Sequence, residues 1–182
     1  MSHFAPHSWP SMIAAAMTFA TAAMVLLAAG HDVVSRTVPN WFSVAIAIFG
    51  IIASIVAHRL LISLGCGAVI FIVAAFCWRF GLMGGADVKL LGAIAIVLQP
   101  GMVAMFTVAM SLAGAAHAIA YILARRVVTR PPPLAVDRPR DHSLPARALR
   151  AERWRISRGG PLPYACAIAF GFFFVVLNGG AP

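Results

Sequence analysis

Six long apolar runs, at about residues 11–30, 41–57, 60–80, 88–99, 101–124 and 161–178, limit what this chain can fold into more than any other feature. A hydrocarbon core roughly 30 Å thick takes about 20 apolar residues per helix, and backbone polar groups inside it must bond within their own segment. The runs therefore predict an all-α, polytopic transmembrane bundle of about six helices. The fourth run is the exception: twelve residues rise only about 18 Å as a helix, so 88–99 either stays short or continues irregularly past Pro100. With 182 residues and six spans, no room remains for a separate soluble domain, and 1–182 is expected to be one membrane-embedded unit.

Composition agrees with lipid as the solvent. Charged residues make up 10% of the chain, against about 25% in soluble domains. The net charge of +9 does not point to nucleic acid, because ten of the fourteen Lys and Arg fall between Arg125 and Arg158. That clustering predicts a basic cytoplasmic loop, about 125–160, lying beside anionic lipid. The segment Met1 to Met12 has no Lys or Arg and no convincing cleavage site follows, so the first run is expected to be a retained span and not a cleaved signal.

Orientation follows from the same charges. With the N-terminus outside, Arg36, Arg79, Lys89 and the 125–158 cluster fall inside and Arg59 alone falls outside, as the positive-inside rule requires. The joint at His58 and Arg59 is so short that the second and third helices should form an antiparallel hairpin. Cys66, Cys77 and Cys166 stand alone in apolar runs, without disulfide or metal-ligand spacing. No metal or other cofactor is implied.

Acidic residues are scarce, and their placement is informative. Asp137, Asp141 and Glu152 belong to the polar loop, whereas Asp32 follows the run ending at Ala29 and Asp87 precedes the run starting at Leu90. The alternation of spans puts both at one depth near the inner face. Carboxyls at a membrane boundary point to function, and two that share a site titrate as a unit, one keeping its proton. Such a pair suits peptide hydrolysis: the ionised member takes a proton from water and the protonated member polarises the carbonyl. Taken singly, each aspartate also has a structural role open to it, Asp87 as the N-cap of helix four and Asp32 as a solvated turn residue.

The local strings are more specific. Around the first aspartate the chain reads His31-Asp32-Val33-Val34-Ser35-Arg36-Thr37-Val38-Pro39-Asn40, and around the second Gly84-Gly85-Ala86-Asp87-Val88-Lys89-Leu90-Leu91. Both resemble the aspartate motifs of type IV prepilin peptidases, in which the first Asp is followed by an Arg and a Pro-Asn, and the second closes a Gly-x-Gly-Asp motif. The resemblance runs from about residue 15 to 124, and the segment from Gly160 to Ala169 is similar to the start of that family's last helix.

It implies an intramembrane aspartyl endopeptidase of a bacterial cytoplasmic (inner) membrane, acting at the cytoplasmic face on the basic leader of a prepilin or pseudopilin precursor. Asp32 and Asp87 would be the catalytic pair. Gly84, Gly85, Ala86, Lys89, Arg36, Pro39 and Asn40 would form the surrounding substrate and active-site loops. Here Ala86 stands where the family has glycine, which shifts the turn's expected flexibility one residue earlier. The chain has no paired Cys-x-x-Cys segment, and its size resembles the small peptidases of Flp-type tight-adherence pili, so methyltransferase activity is not expected.

Other residues carry plainer expectations. Pro39 suits the first turn of helix two, where its missing amide proton costs nothing, and Asn40 would cap or orient that turn. Arg36 and Lys89 would stabilise an ionised carboxylate, hold lipid phosphate, or anchor topology. His117 lies deep in the fifth span, displaced towards the cytoplasmic side, with a hydrogen bond inside the bundle or near the active site as its expected role. Two other classes of function remain: an ion- or proton-coupled transporter using the same two aspartates, and an assembly protein with no active site. Oligomeric state is not legible.

Overall fold

The computed structural model describes residues 8–35, 37–127 and 164–179. Arg36 and most of the expected basic loop, residues 128–160, lie outside these. The described residues form six helices and no strand: α1 Ser8–Ser35, α2 Asn40–Val56, α3 Leu60–Arg79, α4 Gly85–Val97, α5 Pro100–Val127 and α6 Tyr164–Asn178. The all-helical expectation holds. Three of the six, α1, α3 and α5, are long and apolar enough to cross a membrane, and α2 and α6 are shorter apolar helices.

Local chemistry sets the helix ends. Helix α2 ends in a Schellman turn, with His58 at φ 52°, its N–H on the Ile55 carbonyl and the Arg59 N–H on the Ser54 carbonyl. Helix α3 ends the same way at Gly81, φ 72°, where the Gly81 and Leu82 amides donate to Trp78 and Cys77. Both turns satisfy carbonyls that the helix leaves without partners. Helix α4 stays short. Leu98 is extended at ψ 150° and Pro100 opens α5, a first helical position that suits proline.

Helix α4 is the centre of the bundle. It packs on α2 and α3, while α5 packs on α6, and α1 packs on α2 and α6. Leu90, Leu91, Ile94, Ala95 and Val97 are buried, which explains why this helix is apolar without being long. The expected hairpin of α2 and α3 is present as a tight joint, but its legs pack mainly on α4 and less on each other. Small residues permit that wedge: a Cβ on Gly67 would lie 2.5 Å from Ile96 Cγ1 and 3.1 Å from the Gly92 carbonyl oxygen. Close backbone approach of this kind is how helices gain dispersion energy in lipid.

Polar bonds pin the far end of α4. Ser54 Oγ donates to the Ile96 carbonyl at 3.1 Å. The Arg59 guanidinium donates to the Leu98 carbonyl at 2.7 Å, the Val97 carbonyl at 3.0 Å and Ser63 Oγ at 3.0 Å. The outer surface is apolar, with Leu61 and Phe19 among its exposed side chains, as lipid demands. Alternating direction brings the C-termini of α1, α3 and α5 and the N-termini of α2, α4 and α6 to one end.

Candidate active site

Helix α1 runs a turn beyond the apolar sequence that forms most of it. Its tail is held by His31, whose Nδ1 lies 2.6 Å from the Thr37 carbonyl and 2.7 Å from Ser35 Oγ, and by the Ser35 hydroxyl, which donates to the His31 carbonyl at 2.6 Å. Asp32 is therefore a helical residue and not a solvated turn residue, and it is only 8% exposed. Its Oδ2 accepts the Ala165 N–H of α6 at 3.3 Å. That amide belongs to a helix N-terminus, where backbone donors and the helix dipole favour a negative charge.

Asp87 stands at the third position of α4, three residues beyond the N-cap Gly84 and not at the N-cap place foreseen for it, and is 9% exposed. Its carboxylate accepts the Gly84 N–H at 3.3 Å. Each aspartate thus sits buried at a helix N-terminus, Asp32 at that of α6 and Asp87 at that of its own helix. The two carboxylates interact electrostatically and line one cavity of about 850 Å³. Gly84, Gly85 and Ala86 line it too, with Thr37, Val38, Tyr164 and the small residues Gly114, Ala115 and Ala118.

The left-handed residue of this loop is not where the turn's flexibility was expected. Gly84 has φ −76° and Gly85 is helical, so neither uses the left-handed region, and the flexible residue of this loop is Gly81. What Gly84 provides is room: a Cβ there would meet Asp87 Oδ2 at 3.0 Å. Ala86 is an ordinary helical residue, and its methyl group asks nothing of the turn.

Lys89 and Asn40 come together, but away from the aspartates. Lys89 Nζ donates to Asn40 Oδ1 at 2.9 Å, and both line a separate groove between α2 and α3. Two residues along an α-helix turn about 200°, so Lys89 lies nearly opposite Asp87 on α4. Asn40 does not cap α2. Pro39 takes the N-cap position itself, with φ −57° and ψ 141°, one residue before the place expected for it. His117 is half-buried against Tyr121, ring centroids 5.3 Å apart, and is not among the residues that line the cavity.

Two residues at the site escaped the sequence reading. Ala165 contributes only a backbone amide, which no side-chain pattern reveals. Tyr164 lines the cavity together with Asp87. Its only signal was its place in the segment similar to the family's last helix. Gly114 makes space for it, since a Cβ there would lie 3.1 Å from the Tyr164 hydroxyl.

Comparison with known proteins adds one finding. No curated protein and no solved structure matches the chain. The model of the type IV leader peptidase family matches residues 9–119, more than half of the sequence and a stretch that includes both aspartates together with helices α1 to α4. The two buried carboxylates in a shared cavity of a helical membrane bundle are thus found inside the matched region, and the chain belongs to the type IV leader peptidase family.

Proposed function

We propose that Asp32 and Asp87 are the catalytic pair of an aspartyl endopeptidase that removes the basic leader from prepilin-type, single-span precursors. The observation that carries this reading is the meeting of two buried carboxylates from distant parts of the chain in one cavity. Two acids in such a site share one proton. The ionised member takes a proton from water as the water oxygen bonds to the scissile carbonyl carbon, and the protonated member donates to the carbonyl oxygen. The C–N bond then breaks, a proton passes to the leaving amine, and the pair again holds one proton. Which aspartate begins as base is left to the pair as a unit.

The reading extends to topology and substrate. The end that bears the aspartates also bears Arg79, Lys89, Arg125 and Arg126, so by the positive-inside rule it faces the cytoplasm, where precursors are made, and the N-terminus lies outside. The membrane is then the bacterial inner membrane, with anionic lipid beside the 125–160 loop. Flp-type precursors are the proposed substrates, with hydrolysis as the one activity. Co-expression with a Flp-type precursor tests the reading: the leader should be lost with the intact chain and retained with Asp32→Asn or Asp87→Asn at equal protein levels. Processing that survives either substitution excludes the pair.

A further inference from the structure

We propose that the groove between α2 and α3 binds one phospholipid from the leaflet at the aspartate end, with its phosphate at Lys89 and one acyl chain along the groove floor. The site stands apart from the proposed chemistry, because the groove shares no lining residue with the aspartate cavity. Its volume of about 580 Å³ is that of a ligand site. On each of α2, α3 and α4 the lining residues recur at three- and four-residue steps, so each helix contributes one stripe. The floor is α4, with Lys89, Gly92, Ala93 and Ile96. It is bare where Gly67 and Gly92 meet, and a Cβ on Gly92 would lie 3.1 Å from Phe71 Cβ. From Lys89 to Ile96 the helix rises about 10 Å, within the roughly 15 Å of hydrocarbon that one leaflet supplies.

The polar groups gather at one end of the groove. Lys89 and Asn40, joined at 2.9 Å, stand at the aspartate end, and the exposed Trp41 and Trp78 mark that end as the membrane interface, where such rings collect. No carboxylate lines the groove. Among the described residues the one hydrogen bond of Lys89 goes to the neutral Asn40, so its charge has no counter-ion there. A phosphate diester supplies one. Asn40 uses its carbonyl oxygen on Lys89, which leaves its amide N–H groups to donate to the same phosphate.

Ser43 points to a ligand independently. It is 7% exposed and lines the groove, and among the described residues its hydroxyl has no hydrogen-bond partner. Thr18, Thr21 and Thr107 on other helices each donate to the carbonyl four residues back, which Ser43 does not. A buried hydroxyl left without a partner is costly. Ser43 lies almost one turn inward of Asn40, about 4.5 Å deeper along α2, where an ester carbonyl follows the phosphate of a lipid. A helix of another chain fits less well: it is itself about 10 Å across, as wide as the groove is long, and it would have to bring its own anion to Lys89. Val44 and Leu64, both exposed, line the groove and offer an acyl chain apolar walls.

The test gives the full chain, purified in detergent, a phosphatidylglycerol that carries a diazirine on one acyl chain. Photolysis should label the stretches 43–47 and 64–72. Unlabelled phosphatidylglycerol should compete, whereas a diacylglycerol with the same chains and no phosphate should not. Lys89→Met should lower the labelling by about five-fold, the worth of one basic residue at a lipid surface, and Lys89→Arg should keep it. Ala68→Phe fills the groove from an exposed position and should lower the labelling at least as far. Labelling that diacylglycerol displaces equally well, that survives both Lys89→Met and Ala68→Phe, or that is lost in Lys89→Arg overturns the site. So does a benzoylphenylalanine at Val44 that, in membranes, joins the chain to a second copy or to a precursor in place of lipid. Each of these outcomes leaves the peptidase reading as it is.

Discussion

Asp32 Oδ2 accepts the Ala165 N–H at 3.3 Å, and this bond joins the end of α1 to the start of α6 across most of the chain. The aspartate has two separable duties, one structural and one proposed to be chemical. In Asp32→Asn the amide oxygen can still accept from Ala165, whereas Asp32→Ala leaves a buried N–H without that acceptor at a cost of about 1–2 kcal/mol. Both variants should lose cleavage. Thermal unfolding in detergent should separate them, with Asn near the parent and Ala clearly lower; equal stabilities would remove the bond's structural role.

The loop before Asp87 gives an opposed pair of expectations. Gly84→Ala pushes a methyl group to 3.0 Å from Asp87 Oδ2, and displacing a reacting group by about 1 Å can cost on the order of 100-fold. Ala86→Gly, which restores the family's residue, should leave kcat almost unchanged and lower stability by up to about 1 kcal/mol, the helix propensity difference. Rates for the two variants on one precursor decide the point. A rate gain in Ala86→Gly would mean that the turn, and not the space, governs the site.

Lys89 and Asn40 should couple weakly. Their bond at 2.9 Å is exposed, and hydrogen bonds of ordinary strength contribute about 0.5–1.5 kcal/mol net. A double-mutant cycle of Lys89→Met and Asn40→Ala should give a coupling no larger than about 1 kcal/mol. Cleavage should fall far less than in the aspartate variants, because the pair stands on the other side of α4. Loss of all activity in Lys89→Met would assign it a direct part in the reaction.

The helices and the two aspartates were legible because lipid leaves few options: apolar runs must be helices, and two acids among so few must have a reason. Long-range pairings were not. Asp32 with Ala165 and Lys89 with Asn40 join helices far apart in the chain, and no periodicity announces them. The glycine motif was visible, but the place of the turn's left-handed residue was not, since sequence shows that glycine is present and not whether it supplies a positive φ or an empty space. Hydropathy marks only the end of the apolar run, at Ala29, while hydrogen bonds of His31 and Ser35 carry the helix on to Ser35.

Among the described residues Arg59 is the one Lys or Arg at the end of the bundle opposite the aspartates, and its bonds supply the reason. Its guanidinium reaches the last carbonyls of α4, at Val97 and Leu98, together with Ser63 Oγ. Carbonyls at a helix C-terminus have no partner within the helix, and lipid offers none. Charged hydrogen bonds are worth about 1.5–3 kcal/mol each, so Arg59→Met should destabilise the bundle by about 2 kcal/mol or more. Arg59→Lys should recover part of that, since one ammonium lacks the planar fork that serves two carbonyls and a hydroxyl. Topology should remain as it is in both, because the charges at the aspartate end are untouched. A reporter fused near residue 58 should therefore still signal the outer side, and one fused within 130–155 the cytoplasm. If Arg59→Met unfolds no more easily than the parent, the capping role is lost; if the reporter near residue 58 signals the cytoplasm in the parent chain, the proposed orientation is reversed.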